Sequence, residues 1–186
     1  MSKLFVDEIV HQSSQGSGTI TLGASGEKIT TASGAEFSAV TGHNYPAFMA
    51  TPNSGTGLSS NAFTTMPCSN EYIDTDNAYD NSTYTFTVPS GKGGKYSLAL
   101  HCRIDSTNQG DNYLQPTIVT SASGNWNFTW EPKTSDQNIS YHSMYLNIVL
   151  NLSAGDTVIP KCYRSGSTGT PTFQGESFFW GYRIGA

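Results

Sequence analysis

The chain has 186 residues, 12% of them charged and 36% hydrophobic, with a formal net charge of −5; this length suits one sizeable domain with an appended segment and is cramped for two. Nine Lys plus Arg scattered along an acidic chain lack the clustered positive charge that displaces counterions from nucleic acid, which excludes DNA and RNA as partners. Many Gly, Ser, Thr and Asn, with ten Tyr, nine Phe and three Trp, describe an all-β chain of short strands and tight turns, in which rings supply much of the buried area.

The opening, Met1 to Val10, carries Asp7 and Glu8 inside its one apolar stretch. That is no signal-peptide core, and no apolar run elsewhere could span a bilayer. The expectation is assembly in a cytoplasm, without membrane insertion. Residues 1–44 have the texture of a stem: Thr19-Ile20-Thr21-Leu22 followed by Ala24-Ser25-Gly26-Glu27 is echoed by Lys28-Ile29-Thr30-Thr31 followed by Ala32-Ser33-Gly34-Ala35. So short a unit cannot bury its Ile and Leu alone, whereas three copies wound about one axis can.

Residues 45–186 read as one β domain. Tyr84, Phe86 and Val88 alternate with Thr83, Thr85 and Thr87, which predicts a half-buried strand ended by Pro89. The turn Ser90-Gly91-Lys92-Gly93-Gly94 then leads either round a hairpin or across to a second sheet, into a strand burying Tyr96, Leu98, Leu100 and Cys102. Between Asn108 and Asn125 the composition turns polar and reads as a loop region, as does Gly166 to Thr172. Further on, His142, Met144, Leu146, Ile148, Leu150 and Leu152 alternate with Tyr141, Ser143, Tyr145, Asn147, Val149 and Asn151. A turn at Ser153-Ala154-Gly155-Asp156 precedes a strand from Thr157 to Tyr163. The closing strand, about Phe178 to Ile184, is aromatic on both faces, as expected where one face meets the core and the other a neighbouring subunit. No segment has a helical period.

Four groups of residues could form a site. Cys68, Cys102 and Cys162 are odd in number and widely spaced, which fits neither a disulfide framework nor a zinc site and predicts three free thiols. Asp74-Thr75-Asp76-Asn77-Ala78-Tyr79-Asp80-Asn81 offers oxygens that suit calcium, but it lacks the Gly and closing Glu of an EF-hand loop, so a solvated turn with self-capping Asx side chains is the preferred reading. Trp126, Phe128 and Trp130 either fill the sandwich or stack on sugars, core filling being the commoner use of alternating aromatics. Four dispersed histidines and the absence of any nucleophile elbow, zinc helix or phosphate loop give no catalytic residues, no cofactor and no enzyme.

From Tyr45 onward the order of motifs resembles the globular head family of complement component 1q and tumour necrosis factor. Pro46-Ala47-Phe48-Met49-Ala50 resembles its opening strand, and Tyr84-Thr85-Phe86-Thr87-Val88-Pro89 with Gly94-Lys95-Tyr96 resembles its Phe-x-x-Pro-x-x-Gly-x-Tyr centre, lengthened here by glycines. Val149 to Val158 is similar to its Leu-x-x-Gly-Asp-x-Val turn, and Thr172-Phe173-Gln174-Gly175 to its ending. The opening, Leu4 to Val10 with the Gly-Thr-Ile-Thr-Leu run after it, resembles stems of tail-fibre and virion proteins of marine and cyanobacterial phages. These resemblances imply a homotrimer: a jelly-roll head displaying loops, on a stem that joins other virion proteins.

The reading that follows is a phage virion structural protein, a fibre- or spike-type appendage whose head attaches to the host surface. A capsid decoration protein is the first alternative and a soluble carbohydrate-binding lectin the second. Candidate contacts with a host glycan or protein are Asn108, Gln109, Asp111 and Asn112, whose polar groups suit sugar hydroxyls, and Tyr113 as the anchoring ring.

Overall fold

Contacts divide the chain into two units, Met1–Gly42 and His43–Ala186. The computed structural model describes residues 45–107, 111–131, 139–166 and 169–185; the stem and its repeat lie outside the described residues. Among those described there is no helix, and thirteen strands run in chain order: β1 (Ala47–Thr51), β2 (Thr56–Gly57), β3 (Ala62–Thr65), β4 (Asn70–Asp74), β5 (Tyr79–Asp80), β6 (Thr85–Thr87), β7 (Gly94–Thr107), β8 (Asp111–Thr120), β9 (Gly124–Asn127), β10 (Ile139–Leu152), β11 (Thr157–Gly166), β12 (Thr172–Phe173) and β13 (Phe178–Gly185).

The strands form two antiparallel sheets. In the first, β7 is central: β10 lies along one flank, pairing from Thr107↔Ile139 to Gly94↔Leu152, while β13 and then β12 line the other. β1 pairs with β13, and β4 with β1. In the second, β11 is central, with β8 and then β9 on one side and β6 and β3 on the other. Chain-adjacent β6 and β7 lie in different sheets, so the Ser90–Gly94 turn is an inter-sheet crossing, and the whole is a jelly roll.

The inner faces meet over an aromatic cluster. Phe48 of β1 stacks on Phe86 of β6 at 4.4 Å and meets Phe179 of β13 edge-on at 4.8 Å, with Tyr79 of β5 beside it. Gly181 makes room for it: a Cβ there would come within 2.8 Å of the Phe48 ring and 2.6 Å of Leu98. Around the rings pack Tyr96, Leu98, Leu100, Cys102, Leu114, Ile118 and Cys162, all buried. The three cysteines are free and buried. Burial pushes the Cys68 thiol well above its ordinary value, and hydrogen bonding with Cys162 together with burial does the same for Cys102.

Two elements depart from the sequence reading. The strand expected from Thr83 shrinks to Thr85–Thr87, because the Asp80 carboxylate accepts hydrogen bonds from the amides and hydroxyls of Ser82 and Thr83. These bonds curl the backbone into a turn that leaves Tyr84 at φ 60°. The polar stretch read as a loop is for the most part the ten-residue β8. Its Pro116 accounts for the misreading: it lacks a donor, and pairing with β9 stops at Thr117↔Asn127, resuming only as an isolated bridge between Leu114 and Trp130.

Candidate functional site

The two sheets turn different outer faces to solvent. On the first sheet the two-residue period sends Tyr141, Tyr145 and Val149 of β10 outward. The outward residues of β13 are Phe178, Trp180 and Tyr182. Between these rows β7 presents only Ser97, Ala99 and His101, small enough that Ser97 and Ala99 are buried under their neighbours. Phe178 lies 4.8 Å from the His101 ring and 6.2 Å from Tyr145, and Trp180 stacks on Tyr182 at 5.7 Å. Beyond β13 a groove of about 350 Å³ runs between Ala47, Met49, Ile73, Phe178, Trp180 and Tyr182. Tyr141, Tyr145 and Val149 are half exposed. The rim is polar: Arg103 reaches over the Tyr141 ring at 4.4 Å and pairs with Glu176 at 2.8 Å. An apolar core ringed by such a rim is the anatomy of an interface.

The second sheet's outer face carries Thr65, Gln115, Val119, Ile159 and Lys161, with Thr117 buried among them, around a row of three rings. Tyr113 of β8 stacks with Tyr163 of β11 at 5.8 Å, and Tyr163 meets Phe63 of β3 edge-on at 5.0 Å. Of the sequence candidates, Tyr113 is thus one end of a row, and Asn112 is exposed beside it with its amide on Ser165 Oγ at 3.4 Å. Asn108 and Gln109 lie outside the described residues. Asp111 is corrected: it is buried, and Oδ1 accepts a 2.7 Å hydrogen bond from Arg164 Nε, so its carboxylate holds the chain together and does not face a sugar. Phe63 and Tyr163 were missed. Tyr163 ends a run whose alternation with Cys162 marks it as outward, but Phe63 joins it only through the pairing Phe63↔Tyr163 of residues a hundred positions apart.

Arg164 itself is 1% exposed. Besides Asp111, its Nη1 donates to the carbonyls of Gly169 at 3.1 Å and Leu58 at 3.4 Å, so one guanidinium ties β11 to β8 and to two loops. A buried charge is tolerated only with such a set of acceptors.

The Asp74–Asp80 stretch serves its own backbone. Asp74 accepts from the amides of Asp76, Ala78 and Tyr79, and bonds from Ser82 and Thr83 hold the Asp80 carboxyl down at about 2. A polar pocket lies beside it, lined by Glu71, Asp76 and Asp80 among others, yet among the described residues no three His, Cys, Asp or Glu side chains converge as metal ligands. Trp126 and its neighbours divide between the two readings: Phe128 and Trp130 pack against the core, while Trp126 is 40% exposed with its Nε1–H on Ser123 Oγ.

No family model and no curated sequence matches the chain. Among solved structures it is similar to the globular domain of zebrafish complement 1qA protein. The two share 16% identity, with a TM-score of 0.54 over 75% of this chain and 98% of that one. The described domain is a C1q-like β-sandwich. The order of motifs that resembled that family thus corresponds to a shared fold, with Phe48 on the opening strand and Gly155-Asp156 in a turn; the connection after Pro89, open between a hairpin and an inter-sheet crossing in the sequence, is the crossing. In this C1q-like sandwich both outer faces are formed by side chains on regular strands rather than by loops, which holds their rings in fixed relative positions.

Proposed function

We propose that this protein is a homotrimeric virion component of a phage, a fibre- or spike-type appendage whose C1q-like head attaches to the host surface. The observation that carries the assembly is the aromatic outer face of the first sheet. Ten strand positions from Ala47 to Tyr182 turn apolar or small side chains outward across four adjacent strands, and a monomer gains nothing from leaving so much ring area in water. Copies of the same chain cover it around a threefold axis, since the N-terminal repeat also needs three copies to bury its Ile and Leu. The virion setting rests on the resemblance of the opening stretch to phage stems.

Attachment is then a task for the faces left outside. The Phe63, Tyr163 and Tyr113 row offers rings for stacking, with the Gln115 and Asn112 amides and the Lys161 ammonium for polar contacts, a combination suited to sugars. Three copies on one rigid head multiply a weak single contact.

The test uses particles carrying Tyr113→Ala with Tyr163→Ala. The expected outcome is at least about a tenfold fall in adsorption to host cells, with normal incorporation of the protein. Unchanged adsorption with particles that shed the protein or lose heat resistance makes it a capsid decoration protein instead.

A further inference from the structure

At one end of the sandwich β7 and β11 finish, β8 and β10 begin, and the Trp130 segment crosses between them. There a histidine is walled in. His142, on the inner face of β10 and 6% exposed, lies with its ring 3.8 Å from the Trp130 indole. Among the described residues its Nε2 has no hydrogen-bond partner, and neither has Asp111 Oδ2. Two orphaned polar atoms at one end of a packed interior mark a place where a change of charge is felt.

We propose that His142 is an acid-sensitive latch: its neutral ring closes this end of the sandwich against Trp130, and its ionisation opens the end and frees the start of β8, which carries Asn112 and Tyr113. The inference does not depend on what those residues bind.

The surroundings explain why the charged ring is not accommodated. From β8 the charged group is Asp111, whose Oδ1 is already committed to Arg164 of β11. Asp111 Oδ2 has no partner among the described residues and favours an imidazolium, but a carboxylate already paired with a guanidinium does so less than a lone one would, and burial outweighs it. From β7 the register partner of His142 is Ile104. The charged residues on either side of Ile104 belong to the opposite face: Arg103 pairs with Glu176 and Asp105 accepts from Thr172. Glu131, next to Trp130, is exposed. On β10 the neighbours are Tyr141 and Ser143, neither of them a carboxylate nor a cationic side chain.

Burial therefore holds the His142 imidazole below its ordinary value, against a smaller upward pull from Asp111. A histidine whose folded value is lowered favours the closed state above its unfolded value near 6.5 and withdraws that support as pH falls towards the folded value. Over that interval the opening equilibrium shifts by up to about tenfold per pH unit.

The amides of Leu114 and Trp130 report opening directly, because each donates to the other's carbonyl at 2.9 Å. Their hydrogen exchange in the full chain, corrected for the intrinsic rate, is expected to accelerate up to about tenfold per pH unit below about pH 6.5. His142→Phe, or His142→Gln if the former does not fold, should flatten this response. The ring resonance of His142 in the unsubstituted protein should titrate clearly below 6.5. A midpoint at or above that value, or the same acid response in the natural and substituted chains, overturns the latch.

Discussion

The outer faces of the two sheets obey the same alternation and come out opposite in character. On the first, every second residue of β10 and β13 that points away from the core is a ring or a branched aliphatic at all but two positions between Tyr141 and Val149 and from Phe178 to Ile184. On the second, the outward positions of β8 and β11 are mostly Thr, Gln, Lys and Ser, with the aliphatic pair Val119 and Ile159 and one aromatic row. A two-residue period tells only that a side chain leaves the core, not what it meets outside. Composition of the outward set supplies the rest: the first face is the more apolar of the two and, in the assembly proposed above, the one that copies of the chain cover.

The same substitution on both faces breaks or upholds this contrast. Trp180→Asp sets an unpaired carboxylate at the centre of the covered face, at a cost of about 3–5 kcal/mol, which corresponds to more than about a hundredfold in association. Sedimentation should show the variant as folded single chains. The next largest effect probes the buried ion pair that ties β11 to β8 within the second sheet. Asp111→Ala leaves the guanidinium of the buried Arg164 without its carboxylate and should lower folding stability by about 3–5 kcal/mol in urea titration, whereas Asp111→Asn retains an acceptor and should cost less. Tyr163→Asp, on the second sheet's outer face, should leave the assembled mass unaltered and shift stability by no more than about 1 kcal/mol. Smallest is the exposed Asp80 turn. Its carboxyl sits below the ordinary 3.8, near 2, so its support for the fold is complete above pH 3.8 and fades as pH falls towards 2; Asp80→Ala should remove that part of the acid response.

How far the residues alone announce this molecule differs from strand to strand. β7 and β10 are legible because their inward residues recur at every second position over eight residues or more, and β13 because aromatic residues crowd both of its faces from Phe178 to Tyr182. β6 is overread, since the Thr-aromatic alternation continues through Tyr84 while the Asp80 carboxylate, a local hydrogen-bonding effect with no periodic signature, turns the chain. β8 is underread because Pro116 and polar outward residues mimic a loop; its inward set, Leu114 and Ile118, is too short to show a period. The candidate surfaces divide similarly. Tyr145 and Val149 are set on the face opposite Met144 and Leu150 by sequence, Tyr113 is found by its polar surroundings, and Tyr182 is placed only by the structure, since both faces of its strand are aromatic. Asp111 is misassigned because its partner Arg164 lies 53 residues away, and Phe63 has no signal until β3 pairs with β11. Long-range pairing is the information a single sequence does not display.

The central claim is that copies of this chain cover the first sheet's aromatic face. Multi-angle light scattering of the full chain at micromolar concentration tests it most directly. The account predicts three times the mass of the 20.0 kDa chain, falling to one chain's mass with Trp180→Asp. A stable single-chain mass for the unsubstituted protein would contradict it.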